Sequence, residues 1–296
     1  MVKTIYPVSI GSRVPSAGFD AEVHSVFHTA ANLSIEGLNH LLTLFVAESM
    51  DLPQGIRLPD GQGIGYLKPG QSMVCREGIL WSTDYPYKFI LSNARKYDGR
   101  ISVLSKTRPA GMETAFQAAW EVLAQRQNEK QADLRIDALL HPVDRKAPEH
   151  PVHQALRELV QAARQFGADL GIIRDLIGLG GGLTPTGDDV LVGFLAGLQA
   201  TAGDDTTRLD WVRRLSEQVV ADSQRTNDIS RSYLLLAADG QFSSSLVDLA
   251  TVICSGDPQV RVLEVAGFTF QVGHTSGMDA ATGLLLGLSI WQDILY

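Results

Sequence analysis

Two glycine-rich segments that run into predicted helices hold the residues of this sequence best suited to chemistry. Residues 178–189 read Gly-Leu-Gly-Gly-Gly-Leu-Thr-Pro-Thr-Gly-Asp-Asp, and residues 273–279 read Gly-His-Thr-Ser-Gly-Met-Asp. A loop that feeds a helix leaves backbone N–H groups without partners, and the helix dipole favours negative charge at that end. The pattern therefore predicts anion binding, by Gly181, Gly182, Thr184, Thr186, Gly187, Asp188, Thr275, Ser276 and Gly277.

A constant offset of 90 residues relates the two segments. Glycines four residues apart follow each segment, lie on one face of a helix and let two helices approach closely. If the two helices pack side by side in parallel, their loops meet at one site. An internal duplication and two convergent solutions both explain the repeat. The pairs related by the offset are Thr186/Ser276, Gly187/Gly277, Asp189/Asp279, Gly193/Gly283, Gly197/Gly287 and Leu198/Leu288.

Three side chains in these segments are candidates for catalysis by proton transfer. His274 is a candidate general acid or base because imidazole titrates near neutral pH, and Asp189 and Asp279 can act in the same way. The two carboxylates, together with Asp188, also form an oxygen-only set of the kind that suits Mg²⁺. The sequence assigns no metal ligand or resident cofactor, so Mg²⁺ stays an alternative.

A third segment, between the two glycine-rich ones, also carries candidate ligand-binding groups. Asn227 and Ser230 are typical of a helix start, and Arg231 can bind a carboxylate or phosphate through two hydrogen bonds. Ordinary helix ends explain many of the same residues. Thr186 and Ser276 are common N-cap types, and the helix dipole stabilises an acid in the first turn without any ligand.

The elements that position these segments change character along the chain. The first third has short apolar runs separated by Gly and Pro turns, which predicts an antiparallel sheet or a small barrel. The predicted strands cover residues 41–46, 64–67, 73–75, 79–81, 88–91 and 101–104.

From residue 110 onward, apolar residues recur with helical spacing. Residues 125–151 are polar and contain prolines, which predicts a linker or long loop. We therefore predict an α+β protein, with a β-rich domain over residues 1–108 and a mainly helical domain over residues 109–296. The predicted helical faces are Phe116/Ala119/Trp120/Leu123, Val152/Leu156/Leu159/Val160/Ala163 and Leu209/Val212/Leu215/Val219, with further helices over 190–200, 242–254 and 280–288.

The composition excludes several classes of protein. The 296 residues carry a formal net charge of -8, which argues against nucleic acid as a partner. No apolar run is long enough to span a membrane, and the first residues lack a signal-peptide pattern, so we expect a cytoplasmic protein with no membrane partner. The two cysteines form no disulfide or zinc pattern. P-loop, dinucleotide and Gly-x-Ser-x-Gly motifs do not occur.

In the segments quoted above, the sequence resembles the AllH family. The longest match is Gly-Leu-Thr-Pro-Thr-Gly-Asp-Asp at residues 182–189, and the 273–279 segment is also similar. Thr226-Asn-Asp-Ile-Ser230 and Gly240-Gln-Phe-Ser243 fit the same pattern, with an echo in Val23-His-Ser-Val-Phe27. The similarity is strong over residues 170–290 and looser over the first 110 residues.

This resemblance implies a subunit of an oxamate carbamoyltransferase, a transferase assembled with two different protein subunits in anaerobic allantoin and purine nitrogen catabolism. The implied reaction passes a carbamoyl group between oxalurate and phosphate and gives oxamate and carbamoyl phosphate. All four are small anions, which acidic residues repel unless those residues face away, cap a helix or hold a cation. Two alternatives stay open: a Mg²⁺-dependent phosphate- or amide-cleaving enzyme that acts alone, and a non-catalytic scaffold subunit.

Overall fold

The structure is a computed structural model that describes residues 2–48, 50–104, 108–140 and 151–292. Its chain divides into two compact units, Met1–Gly99 and Arg100–Tyr296. One sheet forms the first unit and helices form the second, so the predicted α+β class is confirmed. The domain limits 1–108 and 109–296 stay a prediction about which segments fold together.

The first unit is a mixed sheet. In the described part of the chain, ten strands follow the order β1-β9-β8-β7-β3-β4-β5-β6-β2-β10. The pairs β1/β9, β2/β10 and β5/β6 are parallel, so the sheet is not purely antiparallel as predicted. The strands are β1 (Lys3–Ile5), β2 (Ser9–Gly11), β3 (Phe19–Val26), β4 (Ala30–Ile35), β5 (Leu42–Phe45), β6 (Gly55–Arg57), β7 (Ser72–Arg76), β8 (Ile79–Trp81), β9 (Tyr87–Ile90) and β10 (Arg95–Tyr97).

A short connection forces this sheet to curve strongly. β1 forms one edge and β2 lies next to the other edge, yet only residues 6–8 join them. Ile5 and Ser9 can therefore be at most about 14 Å apart. In a flat sheet, the eight spacings between these strands would extend about 38 Å. The sheet must roll up towards a barrel, with its buried side chains forming one apolar core.

Two of the predicted strands are wrong. Residues 64–67 contain a 3-10 turn, Ile64–Tyr66, because Gly65 within this run weakens a strand. Residues 101–104 pair with no strand. Instead the Leu104 amide donates to the carbonyl oxygen of Ala200 at 2.8 Å, inside the helical unit. The other four predicted runs correspond to β5, β7, β8 and β9.

The second unit is helical, and its two most buried helices carry the glycine-rich segments at their starts. None of the helices in the described residues is both long and apolar enough to cross a membrane. The helices are α1 (Met112–Glu129), α2 (Asp137–Leu140), α3 (Pro151–Arg164), α4 (Ile172–Leu176), α5 (Thr186–Ala202), α6 (Thr206–Asp222), α7 (Asp228–Ala238), α8 (Ser244–Ser255), α9 (Gln259–Phe270) and α10 (Ser276–Ser289).

The segment predicted as a linker is partly structured. α1 continues to Glu129, and Leu134 and Ile136 are buried in the helical core, so residues up to 140 are not a free linker. Their apolar side chains are too sparse to show a helical period, but they fill a gap between helices. The remainder of the predicted linker, residues 141–150, lies outside the described residues.

α6 shows a small error in a predicted face. Val212, Leu215 and Val219 are buried as expected, but Leu209 is 47% exposed. Trp211 is fully buried in its place, and its indole N–H donates to the Gly167 carbonyl. The larger side chain therefore sets the direction of the buried face.

α5 and α10 pack against each other in parallel with almost nothing between their backbones. A Cβ atom on Gly193 would lie 1.8 Å from the carbonyl oxygen of Ala280, and one on Gly283 would lie 2.0 Å from that of Val190. Such distances leave no room for any side chain. Later contacts advance along both helices together, which establishes the parallel direction. These contacts are Gly197 with Leu284 and Gly287 with Phe194.

Gly193→Ala should strongly destabilise the protein, because the added methyl group must separate two helix backbones. We expect a loss of about 3 kcal/mol in the free energy of unfolding, or failure to fold. Urea unfolding of the full chain measures this. Gly267→Ala, in α9, is the matched control because nothing lies within 4 Å of its added Cβ. It should unfold at the wild-type urea concentration or slightly above it. Equal midpoints for both variants would contradict the packing.

Candidate functional site

The parallel packing brings the two glycine-rich segments together at the N-terminal ends of α5 and α10. The hydroxyl oxygens of Thr184 and Ser276 are 2.6 Å apart. The Thr186 hydroxyl of α5 donates to Asp279 Oδ2 of α10 at 3.2 Å. In the opposite direction, hydrogen bonding from the Ser276 side chain of α10 lowers the pKa of the Asp189 carboxyl group in α5. We call this pair of helix starts the double junction.

These crossed hydrogen bonds explain why two predicted caps are wrong. Thr186 and Ser276 are the first residues of their helices, and the N-cap positions belong to Pro185 and Thr275. Neither cap makes a side-chain capping bond. The hydroxyl groups that would cap their own helix instead reach the carboxyl group of the neighbouring helix.

The backbone N–H groups at the double junction are largely occupied, contrary to the prediction that they are free. In each helix, the backbone N–H of the second residue donates to a carbonyl oxygen in the loop that precedes the helix. The anion-binding capacity of a helix start is thereby reduced, and side chains must supply the polar contacts. The bonds are Gly187 N to Leu179 O (2.8 Å), Asp188 N and Asp189 N to Pro185 O (3.0 and 3.1 Å), Gly277 N to Val272 O (3.0 Å) and Asp279 N to Thr275 O (2.9 Å).

The glycines of the double junction have two different roles. Gly187 and Gly277 are buried, and a Cβ atom on either would lie about 2 Å from a carbonyl oxygen of the preceding helix. They permit close packing. Gly181 and Gly182 are exposed, with open space where a side chain would be. This outer pair faces solvent.

Asp188 is a buried anchor. Its carboxylate accepts from the Gly178 amide at 2.8 Å, the Thr226 hydroxyl at 2.6 Å and the Ser230 hydroxyl at 2.7 Å. Burial raises its pKa, and the three hydrogen bonds oppose that rise. Although it was predicted to bind an anion, Asp188 holds the glycine-rich loop against α7.

α7 begins where the sequence predicts. Asn227 is its N-cap, accepting from the amides of Ile229 and Ser230, and its side-chain amide donates to the Leu183 carbonyl at 3.0 Å. Arg231, the predicted clamp, is partly buried, and no ion pair within the described residues includes it. Asn227 and Ser230 therefore support the loop, whereas the Arg231 side chain forms no hydrogen bond or ion pair with the double junction in the described part of the chain.

His274 lies in the exposed turn before α10. Its neighbour Thr275 donates a side-chain hydrogen bond to Asp279, whereas His274 itself faces solvent. Among the predicted catalytic residues, the structure thus brings Asp189 and Asp279 together and leaves His274 at the outside.

The two buried carboxyl groups dominate the electrostatics of the double junction. Asp189 and Asp279 are 9% and 2% exposed. Burial raises the pKa of Asp279 to about 6, and burial together with the charge of Asp279 raises the pKa of Asp189 well above its usual value. The second oxygen of Asp189, Oδ2, is buried, and no residue that the structure describes forms a hydrogen bond with it.

Repulsion within this pair outweighs the helix dipoles. Two unit charges repel by about 2 kcal/mol at 8 Å and about 4 kcal/mol at 4 Å, for an effective dielectric constant of 20. A helix N-terminus stabilises a nearby carboxylate by roughly 0.3–1 kcal/mol. No Lys or Arg among the described residues forms an ion pair with either aspartate. The pair therefore favours holding a proton.

Tyr233 is a residue that the sequence analysis missed. It lies in α7, one helical turn after Ser230, whose hydroxyl is bonded to Asp188. Burial and the charge of Asp189 raise the pKa of Tyr233 to about 12. The signal was present in the sequence, because residues three apart share a helix face, so the position of Ser230 also fixes that of Tyr233.

The three aspartates do not form the Mg²⁺ site considered from the sequence. Asp188 points to Gly178 and α7, away from the carboxyl groups of Asp189 and Asp279. In the part of the chain that the structure describes, no group of three or more His, Cys, Asp or Glu side chains is arranged to hold a metal ion.

Fold and site together define an α+β protein with a strongly curved mixed sheet and a helical unit centred on a buried acidic pair. The chain belongs to the AllH family. Residues 176–288 match the family described as "Oxamate carbamoyltransferase subunit AllH", and residues 7–96 match the AllH family N-terminal domain. The first match contains the whole double junction. Comparison with curated proteins and with solved structures finds no match.

Asp188→Ala should destabilise the fold, because three donors lose one common acceptor. We expect a loss of about 2–4 kcal/mol in the free energy of unfolding. Asp175→Ala, which removes an exposed carboxylate in α4, is the matched control and should change the free energy by less than about 0.5 kcal/mol. Urea unfolding compares the two variants. If both unfold together with the wild type, Asp188 does not anchor the loop.

Asp279→Asn should change how stability depends on pH. The pKa of about 6 in the folded protein exceeds 3.8, so the folded state binds the proton more tightly. This carboxyl group thus stabilises the fold fully below about pH 4, and that stabilisation disappears as the pH rises through 6. From pH 4 to 8, the Asn variant should gain about 2–3 kcal/mol relative to the wild type. Unfolding curves at each pH test this; a pH-independent difference would refute it.

Proposed function

We propose that this chain is the subunit of a cytoplasmic oxamate carbamoyltransferase complex in which the double junction binds the substrate. In this proposal the complex contains two further, different protein subunits. It converts oxalurate and phosphate into oxamate and carbamoyl phosphate, as a step of anaerobic allantoin and purine nitrogen catabolism. Membership of the AllH family supports the reaction class, since the family is described as a subunit of that enzyme.

One observation carries the assignment of the site to the double junction. Asp189 is nine-tenths buried between two helix starts, and its Oδ2 atom has no hydrogen-bond partner among the described residues. A buried polar atom without a partner destabilises a fold, so folded proteins rarely keep one for structural reasons alone. A ligand that hydrogen-bonds to Oδ2 would satisfy it.

The chemistry of carbamoyl transfer suits an acidic pair. A phosphate oxygen attacks the ureido carbon of oxalurate, and the bond from that carbon to the amide nitrogen of the oxamate part breaks. The departing nitrogen must gain one proton, and the attacking hydrogen phosphate must lose one. A coupled pair such as Asp189 and Asp279 can give and take a proton within the same site. Gly181, Gly182 and His274 are exposed around this pair of helix starts.

A scaffold role is the second candidate, and the packing of the glycines favours it. Gly187, Gly277 and the glycines between α5 and α10 are all explained by close contact of backbones. Asp188 and Asn227 are explained by their bonds to the loop. In that case the active site would lie in another subunit, and the double junction would only join two helices.

The two candidates differ in what the double variant Asp189→Ala/Asp279→Ala does to the assembled complex. If the double junction binds substrate, phosphate-dependent cleavage of oxalurate should fall by at least about a thousandfold, because the proton transfer group is lost. The measurement is formation of oxamate and carbamoyl phosphate by the complex of all three subunits. Asp175→Ala should retain wild-type activity. Full activity of the double variant in an intact complex would exclude the substrate site and leave the scaffold role.

A further inference from the structure

The double junction also shows how a site with two acids can accept an anion, which extends the proposed function and depends on it. We infer that Asp189 binds the substrate as a neutral carboxylic acid, its Oδ2 donating a hydrogen bond to an anionic oxygen, with the Tyr233 hydroxyl as a second donor. The ligand class is a small carboxylate or phosphate. Neither the donor role of Asp189 nor any role of Tyr233 follows from membership of the family.

One oxygen of Asp189 has no hydrogen bond within the described residues. Hydrogen bonding from the side chains of Thr184 and Ser276 already acts on this carboxyl group and lowers its pKa. Its Oδ2 is buried and receives no bond. A carboxylate there would be an acceptor without a donor, whereas a carboxylic acid carries a hydrogen that needs an acceptor. An anionic ligand supplies that acceptor and is not repelled by a neutral group.

The acidic groups around Asp189 favour its neutral form, whereas hydrogen bonding from the side chains of Thr184 and Ser276 favours its ionised form. α10 presents the carboxyl group of Asp279, α5 itself presents Asp188, and α7 presents the phenol of Tyr233. Asp279 in turn lies within the field of Asp133. None of these groups is cationic, and burial acts in the same direction as their charges. The acidic environment thus turns Asp189 into a donor.

Tyr233 is placed to act with Asp189. α7 packs against α5, and Ser230 and Tyr233 project from the same face of α7 towards Asp188 and Asp189 in turn. No hydrogen bond of the Tyr233 hydroxyl is formed within the described residues. A phenol that stays protonated throughout the physiological pH range can only add a hydrogen bond, not a charge.

Calorimetric titration with oxamate, and separately with inorganic phosphate, tests this inference on the assembled complex and on the full chain. For wild-type protein, affinity for at least one of these anions should fall as the pH rises from 6 to 9, and binding at pH 8 should take up a proton. Asp189→Asn keeps a donor without a titrating proton. It should bind within about threefold of the wild type at pH 6, with no proton uptake and a flat pH profile.

Two further variants separate binding from folding. Asp189→Ala removes the donor and should weaken binding at pH 6 by roughly ten- to a hundredfold. Tyr233→Phe removes only the phenolic hydroxyl and should weaken binding by about tenfold while keeping the pH dependence of the wild type. Asp175→Ala should bind as the wild type does. Circular dichroism establishes that each variant is folded before titration.

Several results would overturn the inference. They are a wild-type affinity that is flat or rises with pH, loss of binding in Asp189→Asn equal to that in Asp189→Ala, and no binding of either anion at any pH. Each can occur while the complex still loses its transferase activity in the double alanine variant. In that event Asp189 works as an ionised base, and the proposed function stands. The converse, a pH-dependent anion site in a complex without carbamoyltransferase activity, would refute the proposed function alone.

Discussion

The close parallel contact of α5 and α10 is the constraint on which the rest of the helical unit depends. Each helix places glycine against the backbone of the other, so no side chain separates them. Two parallel helices in contact must begin at the same level, and their positive ends then lie together. The helix dipoles stabilise acids at those ends, and Asp189 and Asp279 occupy corresponding positions in the two first turns. The packing thus places the two carboxyl groups side by side.

The same contact creates the electrostatic difficulty of the double junction. An isolated acid in a first helical turn is stabilised as an anion, but two buried acids in adjacent turns repel each other and lose their hydration. The crossed bonds from Thr186 and Ser276 compensate only in part. A proton on one of the two carboxyl groups relieves what remains. Evolution of a site for anions next to acidic residues is then physically consistent, because the acids need not be charged.

Much of this arrangement could be predicted from the sequence, because the glycine spacing and the 90-residue offset reflect contact between the two helix backbones. The helical face of α1 and the start of α7 at Asn227 followed from local patterns for the same reason. The predictions that were wrong concern residues whose positions depend on long-range contacts. Thr186 has the residue type of an N-cap, but its partner is on another helix. Asp188 and Asp189 are neighbours of identical type, and only tertiary packing sends one to α7 and the other to α10. β3 alternates buried and exposed residues and was overlooked, whereas β1 and β2 are too short to show any period.

Among the positions related by the 90-residue offset, Asp188 in one helix corresponds to Met278 in the other, and both are buried. The first aspartate ties its helix start to a neighbouring helix through polar bonds, and the methionine packs into the core instead. The contacts around the start of α5 therefore differ from those around the start of α10, although the two helices are related by the offset. A molecule lying across the two helix starts would meet unlike neighbours at its two ends. The two ends of such a site differ, so a ligand with two different ends would bind in one orientation.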